Sequence, residues 1–146
     1  MGRPSSFDQQ QMLAAAMQVF WQQGYTATSM NDLCTATRLR PGSIYHSFGS
    51  KKGLFLRVVG FYVDQVVNER IEAMLKPGDP LKRIGAFFYT AFEGLSADEL
   101  IGCLLTNTAA DLGNYDEQIN ASVRQGMGKI ERAFKTCLRQ ARSSGQ

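Results

Sequence analysis

An all-α fold is what this sequence predicts, on three observations. Apolar residues recur at steps of three and four along most of its length. Capping residues open these runs, and glycine or proline closes them. Strand signals are missing, with neither period-two alternation nor an Asn-Gly hairpin. The 146 residues suit one domain, or a small domain with a helical companion. With 44% hydrophobic and 20% charged residues the chain can bury a core without staples.

The elements follow in order. Ser6 with Gln9 fits a capping box, after which Met12 or Leu13, Ala16, Val19 and Phe20 mark a first helix that Gly24 closes. Thr28 or Ser29 caps a second, short helix with Asp32 in its first turn and Met30, Leu33 and Cys34 facing inward. After a tight connection near Thr37 to Leu39, Pro41 opens a third short helix to about Ser47, burying Ile44 with Phe48 just beyond. Ser50 caps a long fourth helix to about Leu75, buried at Leu54, Phe55, Val58, Val59, Tyr62, Val66, Val67 and Ile71. Asp79 and Pro80 begin a fifth that carries Leu81, Ile84, Phe87, Phe88, Ala91, Phe92 and Leu95. Ser96 with Glu99 opens a sixth over Leu100 to Leu112. Asn114, Asp116 and Glu117 start the last, whose stripe is Ile119, Val123, Met127, Ile130, Phe134, Cys137 or Leu138, and Ala141. Gly126 and Gly128 within it predict a bend or a close crossing.

Charge divides unevenly. Residues 1–57 hold six bases against two acids, and residues 58–146 hold ten against eleven. A surplus concentrated in the first third predicts that this part meets a polyanion. Two short helices joined by a tight turn, with a third before them, form a helix-turn-helix, whose second short helix enters the DNA major groove. Here that helix presents Arg40, Ser43 and His46, with Tyr45 at the flank. Arg40, Lys51 and Lys52 stand at helix N-termini, where cations oppose the macrodipole unless an anion sits there.

The run from Gly24 to Phe55 resembles the N-terminal domain of TetR-family transcriptional repressors. The matching features are Gly24-Tyr25, Thr28-Ser29, Pro41-Gly42-Ser43-Ile44-Tyr45, Phe48, Lys51 and Leu54-Phe55. Residues 58–142 are similar to that family's helical ligand-binding domain. Gly102-Cys103-Leu104-Leu105 followed by Asn107-Thr108-Ala109 resembles one branch of it. The resemblance implies a helix-turn-helix DNA-binding domain at 1–50 and a helical ligand-binding and dimerisation domain at 51–146. It also implies that the usual last two helices, which carry the family's dimer contacts, lie outside this chain. Thr28 and Ser29 then place a hydroxyl or backbone N–H on phosphate, and Gly42 and Ser43 lie against DNA at the start of the recognition helix. Tyr45 sets its hydroxyl on phosphate, His46 reaches a base edge or phosphate, Lys51 clamps a phosphate, and Arg40 reads guanine. Ser47 departs from the pattern, which has an aromatic or a histidine there.

The expected partners are a double-stranded operator, a small apolar or aromatic effector and a second copy of the chain. The effector site is expected around Phe87, Phe88, Phe92, Cys103, Leu104 and Phe134, because aromatic residues on one and a half turns cover every face of a helix. The homodimer is expected to meet at the last helix. No cofactor, metal or catalytic group is expected: three scattered cysteines have no CxxC spacing, and the single histidine has no triad around it. No apolar run nears the roughly 18 residues of a membrane span, and the N-terminus is polar, so a cytoplasmic location is expected. Two other readings are a helical protein–protein interaction module without DNA binding, and a regulator that senses redox state through Cys103.

Overall fold

The computed structural model describes residues 6–90, 101–112 and 116–145. Among them the regular structure is entirely helical. The order is α1 (Ser6–Gln23), α2 (Met30–Thr37), α3 (Pro41–Phe48), α4 (Lys51–Tyr62), a π-helical turn (Val63–Val67), α5 (Asn68–Leu75), α6 (Pro80–Tyr89), α7 (Leu104–Leu112) and α8 (Glu117–Ser143). The expected long fourth helix is therefore interrupted by a wider turn. The expected sixth begins later than Leu100 suggested: Ile101 to Cys103 are not helical, and Gly102 has φ 71°. Ala91, Phe92, Leu95 and the Ser96–Glu99 pair lie outside the described residues.

The chain forms two compact units, one of residues 1–62 with 102–123, the other of residues 63–101 with 124–146. In the first, α1 packs on α2 and α4, α3 packs on α2 and α4, and α7 packs on α4. Its core holds Phe20, Leu33, Ile44, Leu54, Phe55, Val58, Leu105 and Ile119, all at 1% exposure or less. The Phe20 and Phe55 rings meet edge to face at 4.8 Å, and Tyr25 lies against both. Trp21 is fixed by its indole N–H, which donates to the Gly102 carbonyl at 2.9 Å. Residues of α7 thus belong to the same body as the N-terminal helices.

The second unit buries Met74, Ala133 and Cys137, with Ile71, Ile84, Phe87 and Phe134 packed around them. Of the stripe expected on α8, Ile119, Val123, Cys137 and Ala141 are buried, Ala133 joins them, and Met127 is 39% exposed; of the pair Cys137 or Leu138 the fold buries Cys137 and leaves Leu138 53% exposed. The helix runs through Gly126 and Gly128 without interruption.

Candidate nucleic-acid interface

α2 opens on a complete capping box. Ser29 Oγ accepts from the Asp32 amide at 3.1 Å, and Asp32 Oδ2 accepts from the Ser29 amide at 2.9 Å and from its hydroxyl at 2.6 Å. The hydroxyl bond, then the amide bond, holds the Asp32 carboxyl below its ordinary range. Thr28 is buried, and its hydroxyl donates to the Gly24 carbonyl at 2.6 Å. Both hydroxyls expected on phosphate are thus engaged within the chain.

α2 ends at Arg38, which has φ 58°, the only left-handed non-glycine among the described residues. Two residues later Arg40 caps α3 with an extended backbone and no side-chain capping bond, and Pro41 follows in the first turn. Ile44 is the one fully buried side chain of α3. Arg40, Gly42, Ser43, Tyr45, His46 and Ser47 are exposed, Tyr45 at 51%. A helix this short held by one buried side chain displays nearly its whole circumference to solvent, as a recognition helix must.

α3 is joined to α4 by a close approach that the sequence reading missed. A Cβ added to Gly53 would stand 1.8 Å from the Phe48 carbonyl oxygen, so only glycine lets the start of α4 meet the end of α3 this closely. Gly49, with φ 76°, makes the turn, and Ser50 Oγ accepts from the Gly53 amide at 3.0 Å. The sequence signal was a glycine inside the first turn of a predicted helix, where it has no conformational use.

The two lysines of that first turn have partners in the chain itself. Lys51 Nζ donates to the Tyr25 and Thr28 carbonyls, each at 2.9 Å, and stands 4.5 Å from the centroid of the Tyr25 ring. Lys52 pairs with Asp116 at 3.3 Å. Asp116 also accepts from the Ile119 and Gln118 amides, and these bonds, Ile119 first, hold its carboxyl below the ordinary range. No external anion is needed to explain either cation at that helix end.

Of the residues expected around an effector, the second unit brings Phe87, Phe88 and Phe134 together, with ring centroids 5.0–5.6 Å apart. The Arg70 guanidinium lies over Phe87 at 4.3 Å and donates to its carbonyl. Cys103 and Leu104 belong to the first unit, where the Tyr62 hydroxyl lies 3.5 Å from Cys103 Sγ. Phe92 is outside the described residues. An open groove on α8, lined by Thr136, Arg139, Gln140, Ser143 and Ser144, includes none of these side chains.

A short exposed helix behind a left-handed turn, rooted by one isoleucine and preceded by the exposed Arg38 and Arg40, defines the first unit as a helix-turn-helix of the DNA-reading kind. Comparison with known proteins agrees. Residues 12–58 match the model of bacterial regulatory proteins of the tetR family, and residues 80–146 match that of the tetracyclin repressor-like C-terminal domain. The chain belongs to the TetR family and is a DNA-binding transcriptional regulator. It is 31% identical over 145 residues to the HTH-type transcriptional repressor ComR of Escherichia coli, covering 97% of this chain and 69% of ComR. It is 30% identical over 150 residues to the HTH-type regulator YezE of Bacillus subtilis, covering 100% of this chain and 76% of YezE. A cysteine mutant of the TetR-family regulator CifR, solved with a 26 bp double-strand operator, superposes with TM-score 0.82 at 28% identity over 98% of this chain and 75% of CifR. The regulatory protein TetR from Rhodobacter sphaeroides shares the fold, with TM-score 0.85 at 24% identity over 97% of this chain and 76% of that one. Among the described residues no helix is long and apolar enough to cross a membrane, and no group of His, Cys, Asp or Glu is arranged to hold a metal.

Proposed function

We propose that this regulator is a repressor that reads its operator with α3 and is released by a small apolar or aromatic effector. The observation that carries the reading is the exposure of Arg40, Ser43, Tyr45 and His46 on a helix rooted by Ile44 alone. Arg40 and His46 read base edges, Tyr45 and Ser43 hold phosphate, and Gly42 gives the backbone a close approach. Ser29 and the backbone N–H of Thr28 are assigned to further phosphate contacts at the start of α2. The functional division runs near residue 50, with DNA binding before it and effector binding and dimerisation after it. Phe87, Phe88 and Phe134, which lie together in the second unit, supply the aromatic wall of the effector site. The protein acts in the cytoplasm as a homodimer and not as an enzyme: its histidine serves DNA recognition.

Selection of bound sequences from a random duplex pool tests the reading. One sequence class should be enriched, and Arg40→Ala or His46→Ala should change the preference by roughly 1–3 kcal/mol per lost base contact. Tyr45→Phe should weaken all sequences alike. Wild-type protein that enriches nothing would sink the reading. A compound that releases the operator must bind more weakly in the presence of DNA, by the same factor.

A further inference from the structure

We propose that Arg38, in the turn between α2 and α3, is a further DNA-binding residue, placing its guanidinium on a backbone phosphate at the rim of the groove that α3 enters. The proposal rests on the reading of α3 as the recognition helix.

Arg38 ends α2 with φ 58° and ψ 22°. Every other described residue with a positive φ is a glycine. An L side chain is disfavoured in this conformation, and glycine or asparagine is the ordinary choice behind a helix. The turn does not need the arginine. Thr37 builds it: its hydroxyl donates to the Leu33 carbonyl at 2.6 Å and accepts from the Leu39 amide at 3.4 Å. The Arg38 side chain is exposed, and among the described residues it has no hydrogen bond, ion pair or ring contact. A side chain that strains its backbone and touches nothing in its own chain points to a partner outside it.

Its place and its chemistry say what that partner is. Arg38 stands two residues before Arg40, the N-cap of α3, with half-buried Leu39 between the two exposed arginines. A recognition helix meets base edges with its N-terminal residues, so the turn leading into it passes the rim of the groove, which phosphates line. Arg40, at the helix end, is placed for a base edge, and Arg38, outside the helix, for the rim. A guanidinium carries five donors in a planar fork that matches two phosphate oxygens. From Ser29 to Ser50 the only acid is Asp32, whose carboxylate is held by the Ser29 amide and hydroxyl. Nothing in α2 or α3 therefore competes with an external anion for Arg38. Binding and stability pull apart at this position: glycine relaxes the turn and deletes the contact.

The test uses the full chain, the selected operator and a salt series, at a temperature where each variant is folded. Arg38→Gly and Arg38→Asn both accept a left-handed backbone, and both remove the charge. Each should lower operator affinity roughly tenfold per bound subunit at about 0.1 M salt. Each should also flatten the slope of log affinity against log salt by about 0.9 per bound subunit. The sequence class enriched from the random pool should not change. Arg38→Lys should keep the wild-type slope. Lys82→Gln, which removes an exposed charge from the second unit, should leave affinity and slope alone and so separates the contact from net charge. Ethylation interference reads the contact itself: one operator phosphate in each half-site should matter to wild type and not to Arg38→Gly. Affinity and slope unchanged in both neutral variants would make Arg38 a solvated surface charge and overturn the proposal. A changed sequence preference at unchanged slope would make it a base reader and overturn the phosphate contact. Wild-type protein that binds no duplex would instead overturn the recognition-helix reading on which the proposal stands.

Discussion

Arg38 carries a conformation that its side chain does not favour. A left-handed backbone costs an L-residue about 1–2 kcal/mol, and glycine pays little of it. At φ 58° Arg38 ends α2 and turns the chain toward α3, a place where glycine is the ordinary solution. Arg38→Gly should therefore stabilise the fold, by up to about 1 kcal/mol after the added freedom of the unfolded chain is counted. A urea titration should show a higher midpoint at unchanged slope. A lower midpoint would mean that the arginine side chain makes a contact worth more than the strain. At the same scale, the two expected phosphate hydroxyls teach a plain lesson. Ser29 was legible as a cap residue and its hydroxyl is spent on the cap, while the Thr28 hydroxyl is spent on the Gly24 carbonyl that closes the preceding turn.

Caps and joints decide how the elements hold together. Gly53→Ala should cost about 1–3 kcal/mol, because the new methyl meets a backbone carbonyl that cannot swing aside as a side chain would. Gly60→Ala, an exposed position in the same helix with nothing within 4 Å of the new atom, should stabilise by about 0.5–1 kcal/mol. Thermal melts of the pair check both signs. If both variants are stabilised alike, helix propensity and not the close approach governs Gly53.

The caps also set the acid limb of stability. Asp32 and Asp116, each with an ordinary value of 3.8, are both lowered in the folded chain, by hydrogen bonds that favour the ionised form. Their contribution is present above that ordinary value and is lost as pH falls through the lowered folded values. Asp116→Asn should flatten this acid loss in a helicity titration, and Asp32→Asn should do the same at α2. An acid limb unchanged in both would show that other carboxylates govern it. Tyr25, raised above its ordinary 10.0 by burial and then by Asp116, acts with the opposite sign: its contribution holds below that value and fades as pH rises through the raised one.

For the whole molecule the informative surface is in the second unit. Leu75, Leu81, Phe88, Tyr89, Met127 and Leu138 are 39–81% exposed there. Where exposed apolar side chains form one contiguous patch they mark an association surface. The homodimer we propose meets at the last helix through Leu138 and Met127, while Phe134 is packed on Phe87 and Phe88. Light scattering over a concentration series should show a dimer, and Leu138→Asp combined with Met127→Asp should move it toward the monomer. A monomer at every concentration would remove the dimer, and a dimer untouched by the double variant would place its contact elsewhere.

Local signals alone determined the first three helices of the first unit. Gly24, Ser29 and Pro41 mark their boundaries because cap chemistry acts within four residues and so is written in the sequence. The exposed row on α3 was legible for the same reason: a short helix with one apolar position leaves its other residues outside. Tertiary structure alone decided the rest. Nothing near Lys51 in sequence announces that its partners are Tyr25 and Thr28, and nothing near Lys52 announces Asp116, because those contacts close only when distant segments pack. The stripe of α8 fixed most of its inner face, at Ile119, Val123 and Ala141, but left Cys137 and Leu138 open, and only packing against Met74 chooses Cys137. Periodicity says that a helix has an inner face. Packing says which face that is, because burial depends on what lies across from it.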